Sequence, residues 1–136
     1  MPFITKQFKL CAAHKYWNDK WDKDQNYKVF GDDIKVHGHN YVLDITITGP
    51  VNQDSGFIFD IQELKNIVNK NVIDVLDHSQ IQEDIPWFKG KQPSTENLVL
   101  FIWEKIVDHI KDPAVLYKIK LRETPTIFTE YFGPGE

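Results

Sequence analysis

Three histidines fall into phase with apolar positions. In "FKLCAAH", Phe8, Leu10, Ala12 and His14 share one face if the segment is a strand. In "VHGHNYVLDITITG", His37, His39, Tyr41, Leu43, Ile45 and Ile47 share a face in the same way. If the two strands pair, three imidazoles converge at one end of the core face. Three neutral imidazoles suit Zn²⁺, and three protein ligands leave a fourth position open, the pattern of a catalytic rather than a structural zinc. A single histidine there would be an ordinary polar strand end. Gly38 between two of them lets backbone or ligand approach closely. Cys11 stays outside this set, because on a strand it faces away from His14; it reads as a small packed residue.

Other residues join by similar reasoning. Glu123 continues the face of Tyr117, Ile119 and Leu121. A carboxylate in line with a core face is costly unless it is paired. It can accept two hydrogen bonds from a flat, N–H-rich ligand edge, or simply reach solvent at a strand end. "LDH" places Asp77 beside His78, and a neighbouring carboxylate can orient an imidazole for proton transfer. An ordinary helix-end Asp-His pair is the plainer reading. His109 belongs to a solvated or capping role. Trp17 and Trp21 either line a pocket or pack down a loop.

The elements that must position these residues follow from periodicity and turn chemistry. Phe8 to His14 and His37 to Thr48 read as strands. Between them, Tyr16–Asp33 is polar with scattered aromatics and reads as a long loop. "NQDSG" is a turn, and "FIF" after it a short strand. "DIQELKNIVNKNVIDVLDH" is a helix capped by Asp60, with Ile61, Leu64, Val68, Val72 and Val75 as its stripe. A second helix starts at a Ser94 or Thr95 cap, buries Leu98, Ile102, Ile106 and Ile110, and stops before Pro113. "AVLYKIKLRET" and "TIFTEYF" are the last strands. Grouped strands and helices suggest an α+β fold, with two helices on one face of an antiparallel sheet.

Composition sets the bounds. At 136 residues the chain suits one domain, 1–136. A net charge of −4 with one arginine, Arg122, argues against nucleic acid as a partner. Its longest strongly apolar run, "LVLFIW", is too short to span a bilayer, so no membrane association is expected. One cysteine and no apparent signal peptide point to the cytoplasm.

The ordered stretches "AAH" (Ala12–His14), "FG" (Phe30–Gly31), "HGHNY" (His37–Tyr41), "LDH" (Leu76–His78), "PSTEN" (Pro93–Asn97) and "ET" (Glu123–Thr124) resemble the 6-pyruvoyl-tetrahydropterin synthase and 6-carboxytetrahydropterin synthase family. The resemblance covers about Phe8 to Tyr131. It implies the tunnelling fold: a four-stranded antiparallel sheet with two helices, joined with other copies into an oligomeric barrel. Trimers or hexamers with sites between subunits follow. It also implies Zn²⁺ on His14, His37 and His39, a pterin ring anchored by Glu123 with help from Ser94 and Thr95, and Asp77 and His78 as an acid–base pair. The implied substrate is 7,8-dihydroneopterin triphosphate, and the implied activity that of a zinc-dependent lyase. Tetrahydrobiopterin, folate or queuosine biosynthesis is the matching setting.

One departure stands out. The family's common catalytic cysteine lies a few residues before "HGH", where this chain has "FGDDIKV". Counting back four from His37 lands on Asp33, with Asp32 beside it. Either an aspartate serves as the base or both are turn residues after Gly31. Some family members carry a glutamate near this place and cleave the side chain to 6-hydroxymethyl-dihydropterin. That outcome, or a non-catalytic pterin- or metal-binding module, is the alternative to the usual lyase. Lys15, Lys28 and Lys35 are candidates for holding the triphosphate.

Overall fold

The computed structural model describes residues 1–135. Its strands and helices run β1 (Phe3–His14), α1 (Lys23–Phe30), β2 (His37–Thr48), α2 (Ile61–Val68), α3 (Asp74–Leu76), β3 (Ser79–Gln80), α4 (Ile81–Asp84), α5 (Thr95–Ile106), β4 (Val115–Thr124) and β5 (Ile127–Tyr131). They form one sheet in the order β3-β1-β2-β4-β5. The α+β expectation holds. The expected four-stranded antiparallel sheet is corrected to a five-stranded mixed one. Its four long strands are antiparallel, and β3 lies parallel to β1. At two residues, β3 is too short to leave an alternation pattern in the sequence.

Leu64, Val68 and Leu76 of α2 and α3 pack with Leu98, Ile102 and Ile106 of α5 against Phe8, Leu10, Leu43, Ile45, Ile119 and Leu121 of the sheet. Burying each large aliphatic side chain contributes about 1.5–3 kcal/mol. The other sheet face mixes polar pairs with exposed aromatics: Gln7 donates to Asp44 at 3.1 Å, Lys118 pairs with Glu130 at 3.1 Å, and Phe3 packs on Tyr117.

Several local expectations change. The segment Tyr16–Asp33 is not one loop, because it contains α1. Asp22 caps that helix by accepting from Gln25 N–H at 2.8 Å. The Asn26 amide, fully buried, accepts from Asn18 N–H and donates to carbonyls of Asn18, Trp21 and Asp22. "FIF" is not a strand, since the Phe57 carbonyl accepts from Asn52 N–H within its own turn.

The first long helix is interrupted by a π-helical turn at Asn69–Ile73. Positions four apart drift about 40° on an α-helix, and a wider turn takes up that drift. Leu64, Val68, Val72 and Leu76 therefore stay buried in step. Val75, expected in the stripe, is 41% exposed, against 1% for Leu76. On β4 a bulge opposite Thr46/Ile47 sets Leu116 inward and leaves Tyr117 exposed, so Tyr117 leaves the expected face.

Candidate functional site

The β1–β2 register places His14 opposite His37, and His39 opposite Ala12. All three imidazoles project to the helix-covered face, as the alternation requires. Their ligand atoms lie within 4.8 Å of one another. His14 Nδ1 meets the Pro93 carbonyl at 2.7 Å, and His37 Nδ1 meets the Lys35 carbonyl at 2.8 Å. A carbonyl can only accept, so each Nδ1 carries the proton and each Nε2 presents a lone pair. His39 Nε2 lies 3.1 Å from His14 Nε2. Converging lone pairs with outward N–H groups tied to carbonyls are what a divalent cation requires of imidazole ligands. The three histidines can therefore hold a metal ion.

His14 is fully buried, and that burial, aided by the neighbouring imidazoles, lowers its pKa to about 4. It stays neutral at neutral pH. Tyr16 and Tyr41 pack on the His14 ring, and burial raises both phenol pKa values.

Glu123 comes to the same cluster. Its Oε1 lies 3.6 Å from His14 Nε2 and 3.6 Å from His39 Nε2. A second bulge, between Arg122 and Thr124 against β5, leaves Glu123 as the extra residue. Bulges of this kind re-aim side chains. Thr95 is buried at the start of α5; its hydroxyl donates to Glu96 at 3.0 Å and lies 2.8 Å from Thr129 Oγ1. Ser94 caps α5 by accepting from Asn97 N–H at 3.2 Å.

Asp33 sits in a 3₁₀ turn, Gly31–Ile34, that begins at Gly31 (φ 62°). Its Oδ1 lies 3.8 Å from His37 Nε2, while Asp32 meets the Tyr27 hydroxyl at 3.5 Å. Of the two aspartates, Asp33 is the one beside the cluster. Trp21 stacks on Phe30, which stacks on Tyr16, so this aromatic column packs the turn in place.

Asp77 and His78 lie elsewhere. Asp77 Oδ1 accepts from Cys11 N–H at 2.8 Å, which holds its pKa low, and Oδ2 lies 3.0 Å from His78 Nδ1. The His78 N–H donates to the Cys11 carbonyl at 2.6 Å. His78 adopts φ 62°, a left-handed conformation that costs a non-glycine residue about 1 kcal/mol. Its side chain is 81% exposed and lines a concavity of about 310 Å³ with Cys11, Gly38, His39, Asn40 and Ser79. Among the described residues, no hydrogen bond or ion pair joins Asp77 or His78 to the three histidines. A Cβ on Gly38 would meet only the Ala12 carbonyl, at an ordinary 3.5 Å, so the chain itself does not require glycine there.

Sequence reasoning missed the carbonyls of Pro93 and Lys35, the Tyr16 and Tyr41 rings, and Thr129. The carbonyls leave no side-chain signal. Tyr41 was visible in phase with the histidines and could have been found.

Fold and site define an α+β protein with a three-histidine cluster fit for a metal at one end of its core face. The profile of the family described as 6-pyruvoyl tetrahydropterin synthase matches residues 3–134, and the chain belongs to that family. It is 39% identical over 130 residues to a 6-pyruvoyl tetrahydrobiopterin synthase of Dictyostelium discoideum, covering 96% of this chain and 95% of that one. It is 34% identical over 134 residues to the Drosophila melanogaster protein of the same name, covering 97% and 80%. The solved Caenorhabditis elegans 6-pyruvoyl tetrahydropterin synthase superposes with a TM-score of 0.88 at 32% identity, covering 98% of both chains. Among the described residues, no helix is long and apolar enough to cross a membrane.

Proposed function

We propose that the chain, acting as one domain over residues 1–136, is a zinc-dependent lyase for 7,8-dihydroneopterin triphosphate. The observation that carries this reading is the convergence of His14, His37 and His39, each of the first two fixed by a carbonyl. A zinc ion held by His14, His37 and His39 would supply a Lewis acid for the substrate's side-chain hydroxyls. Glu123, with help from Thr95 and Ser94, accepts the N–H groups of the pterin ring and fixes its orientation. His78, oriented by Asp77, takes and returns a proton.

Among the described residues, no hydrogen bond or ion pair joins Asp77 or His78 to the histidines of their own chain, which supports a working site that pairs the histidines of one copy with Asp77 and His78 of another. The exposed Phe3, Tyr117, Ile127, Phe128 and Phe132 support burial against further copies, as a trimer or hexamer. The lone, unpaired Cys11 fits a reducing cytoplasm.

A second reading of the product rests on Asp33. The segment "FGDDIKV" just before "HGH" holds no cysteine, and the carboxylate beside His37 can act as base in its place, giving carbon–carbon cleavage to 6-hydroxymethyl-dihydropterin. Incubating pure protein with the triphosphate and identifying products tests both. A product that His37→Ala does not make supports the lyase. Pterin binding without turnover leaves only a binding module. If Asp33→Asn turns over like the parent, Asp33 is a turn residue.

A further inference from the structure

At His14 the chain leaves the sheet, and its backbone N–H groups must find partners outside the ladder. Each goes to a different segment. Lys15 N–H donates to the Gln82 side-chain amide at 3.1 Å, and Tyr16 N–H to the Asp33 carbonyl at 2.9 Å. Trp17 N–H donates to the Gln92 side-chain amide at 3.2 Å, and Asn18 N–H to that of Asn26 at 2.7 Å.

Of these partners, Gln92 alone takes both polar groups of one peptide residue. Its Oε1 accepts the Trp17 N–H, and its Nε2 donates to the Trp17 carbonyl at 2.7 Å. Its own carbonyl accepts from Asn97 Nδ2 at 2.9 Å. The next residue is Pro93, whose carbonyl lies 2.7 Å from His14 Nδ1. Gln92 and Pro93 belong to the irregular segment before α5. A proline has no N–H with which to anchor its own peptide. The Pro93 carbonyl is therefore placed by its neighbours, and Gln92 is the neighbour tied to the same stretch of chain that carries His14.

We propose that Gln92 is a positioning residue for the histidine cluster: by gripping the Trp17 peptide it holds the Pro93 carbonyl on His14 Nδ1 and so keeps the Nε2 lone pair of His14 turned toward the other two imidazoles. The proposal rests on the metal-holding part of the reading above and needs nothing of the substrate. A carbonyl only accepts, so while it stays in place the ring proton stays on Nδ1. The Tyr41 hydroxyl is the other group near that nitrogen, at 3.5 Å, the outer limit of a hydrogen bond. It can donate as well as accept, so it does not fix the tautomer by itself. With the carbonyl displaced, the proton is free to move to Nε2, where it occupies the lone pair a metal needs.

Gln92→Met keeps the length of the side chain and removes both hydrogen bonds. Gln92→Asn keeps the amide on a shorter stem. Zinc affinity of the purified proteins, measured by competition with a chelator at neutral pH, falls roughly tenfold or more in both. Gln7→Met, which removes an amide bonded to Asp44 on the open sheet face, leaves it unchanged.

Nitrogen NMR of the imidazoles in the metal-free proteins gives a readout that loosened packing alone would not move. The parent shows His14 protonated on Nδ1, and both Gln92 variants show a rise in the Nε2–H form. Parental zinc affinity in a folded Gln92 variant overturns the proposal. So does weaker zinc binding with the His14 tautomer unchanged, which makes Gln92 a structural residue only. A parent whose His14 carries its proton on Nε2 overturns it without any variant. A parent that binds no zinc removes the metal reading, and the tautomer comparison still decides whether Gln92 sets the His14 ring.

Discussion

His14 and His78 flank the same strand end and are built in opposite ways. His14 lies at the end of β1, fully buried, with one ring nitrogen tied to the Pro93 carbonyl and the other facing His39. His78 hangs on the edge of β1 by its backbone, 81% exposed, with a carboxylate on one nitrogen. The first environment penalises the charged imidazole and fixes its lone pair inward. The second leaves the ring in water beside the Asp77 carboxylate. One strand end thus carries a buried imidazole fit to hold a metal and an exposed one beside a carboxylate.

The sharpest way to break this comparison is to remove a ligand. His37→Ala abolishes metal retention and lowers turnover by about 100-fold or more, measured by metal analysis and initial rates. A fall in turnover with full metal content would mean that His37 does not hold the metal.

Asp77→Asn tests the other side. It leaves metal content unchanged and lowers turnover roughly 10–100-fold, with the pH–rate profile displaced. Metal loss in this variant would erase the division between the two regions.

Stability against pH gives a smaller effect. In metal-free protein the pKa of His14 is lowered to about 4, so the unfolded chain binds its proton first as pH falls. Stability is therefore fully present above about 6.5 and declines by about 1.4 kcal/mol per pH unit toward 4. Urea titrations at pH 7, 6 and 5 should show the decline, and His14→Gln should flatten it. His78→Gln, at an exposed position, should leave it in place.

The effect most remote from the two histidines concerns the turn that presents Asp77. Leu76→Ala costs about 2–5 kcal/mol, whereas Val75→Ala changes stability by no more than about 0.5 kcal/mol. Equal losses would mean that the π-helical turn does not set the phase there.

That pair also shows what the sequence could carry. Alternation alone placed the three histidines on one face, because the period of a strand is two and β1 and β2 are regular through that end. The same alternation put Tyr117 with Ile119, and it failed there because one extra residue in a bulge reverses every side chain beyond it. The stripe that ran to Val75 failed for a related reason: a π-helical turn shifts the phase by one position and leaves no mark in composition. Helix α1 was hidden because it turns on one buried amide, Asn26, rather than on an apolar stripe. The bulge that aims Glu123 was invisible too, although Glu123 itself was found. Asp77 and His78 were legible as neighbours; their place on the edge of β1 depends on β3, two residues long.

Metal stoichiometry with X-ray absorption on the purified protein tests the central claim most directly. The account predicts one zinc per chain with three imidazole nitrogens around it, and loss of that signal in His39→Ala. A chain that retains zinc in His39→Ala, or binds none in the parent, would contradict it.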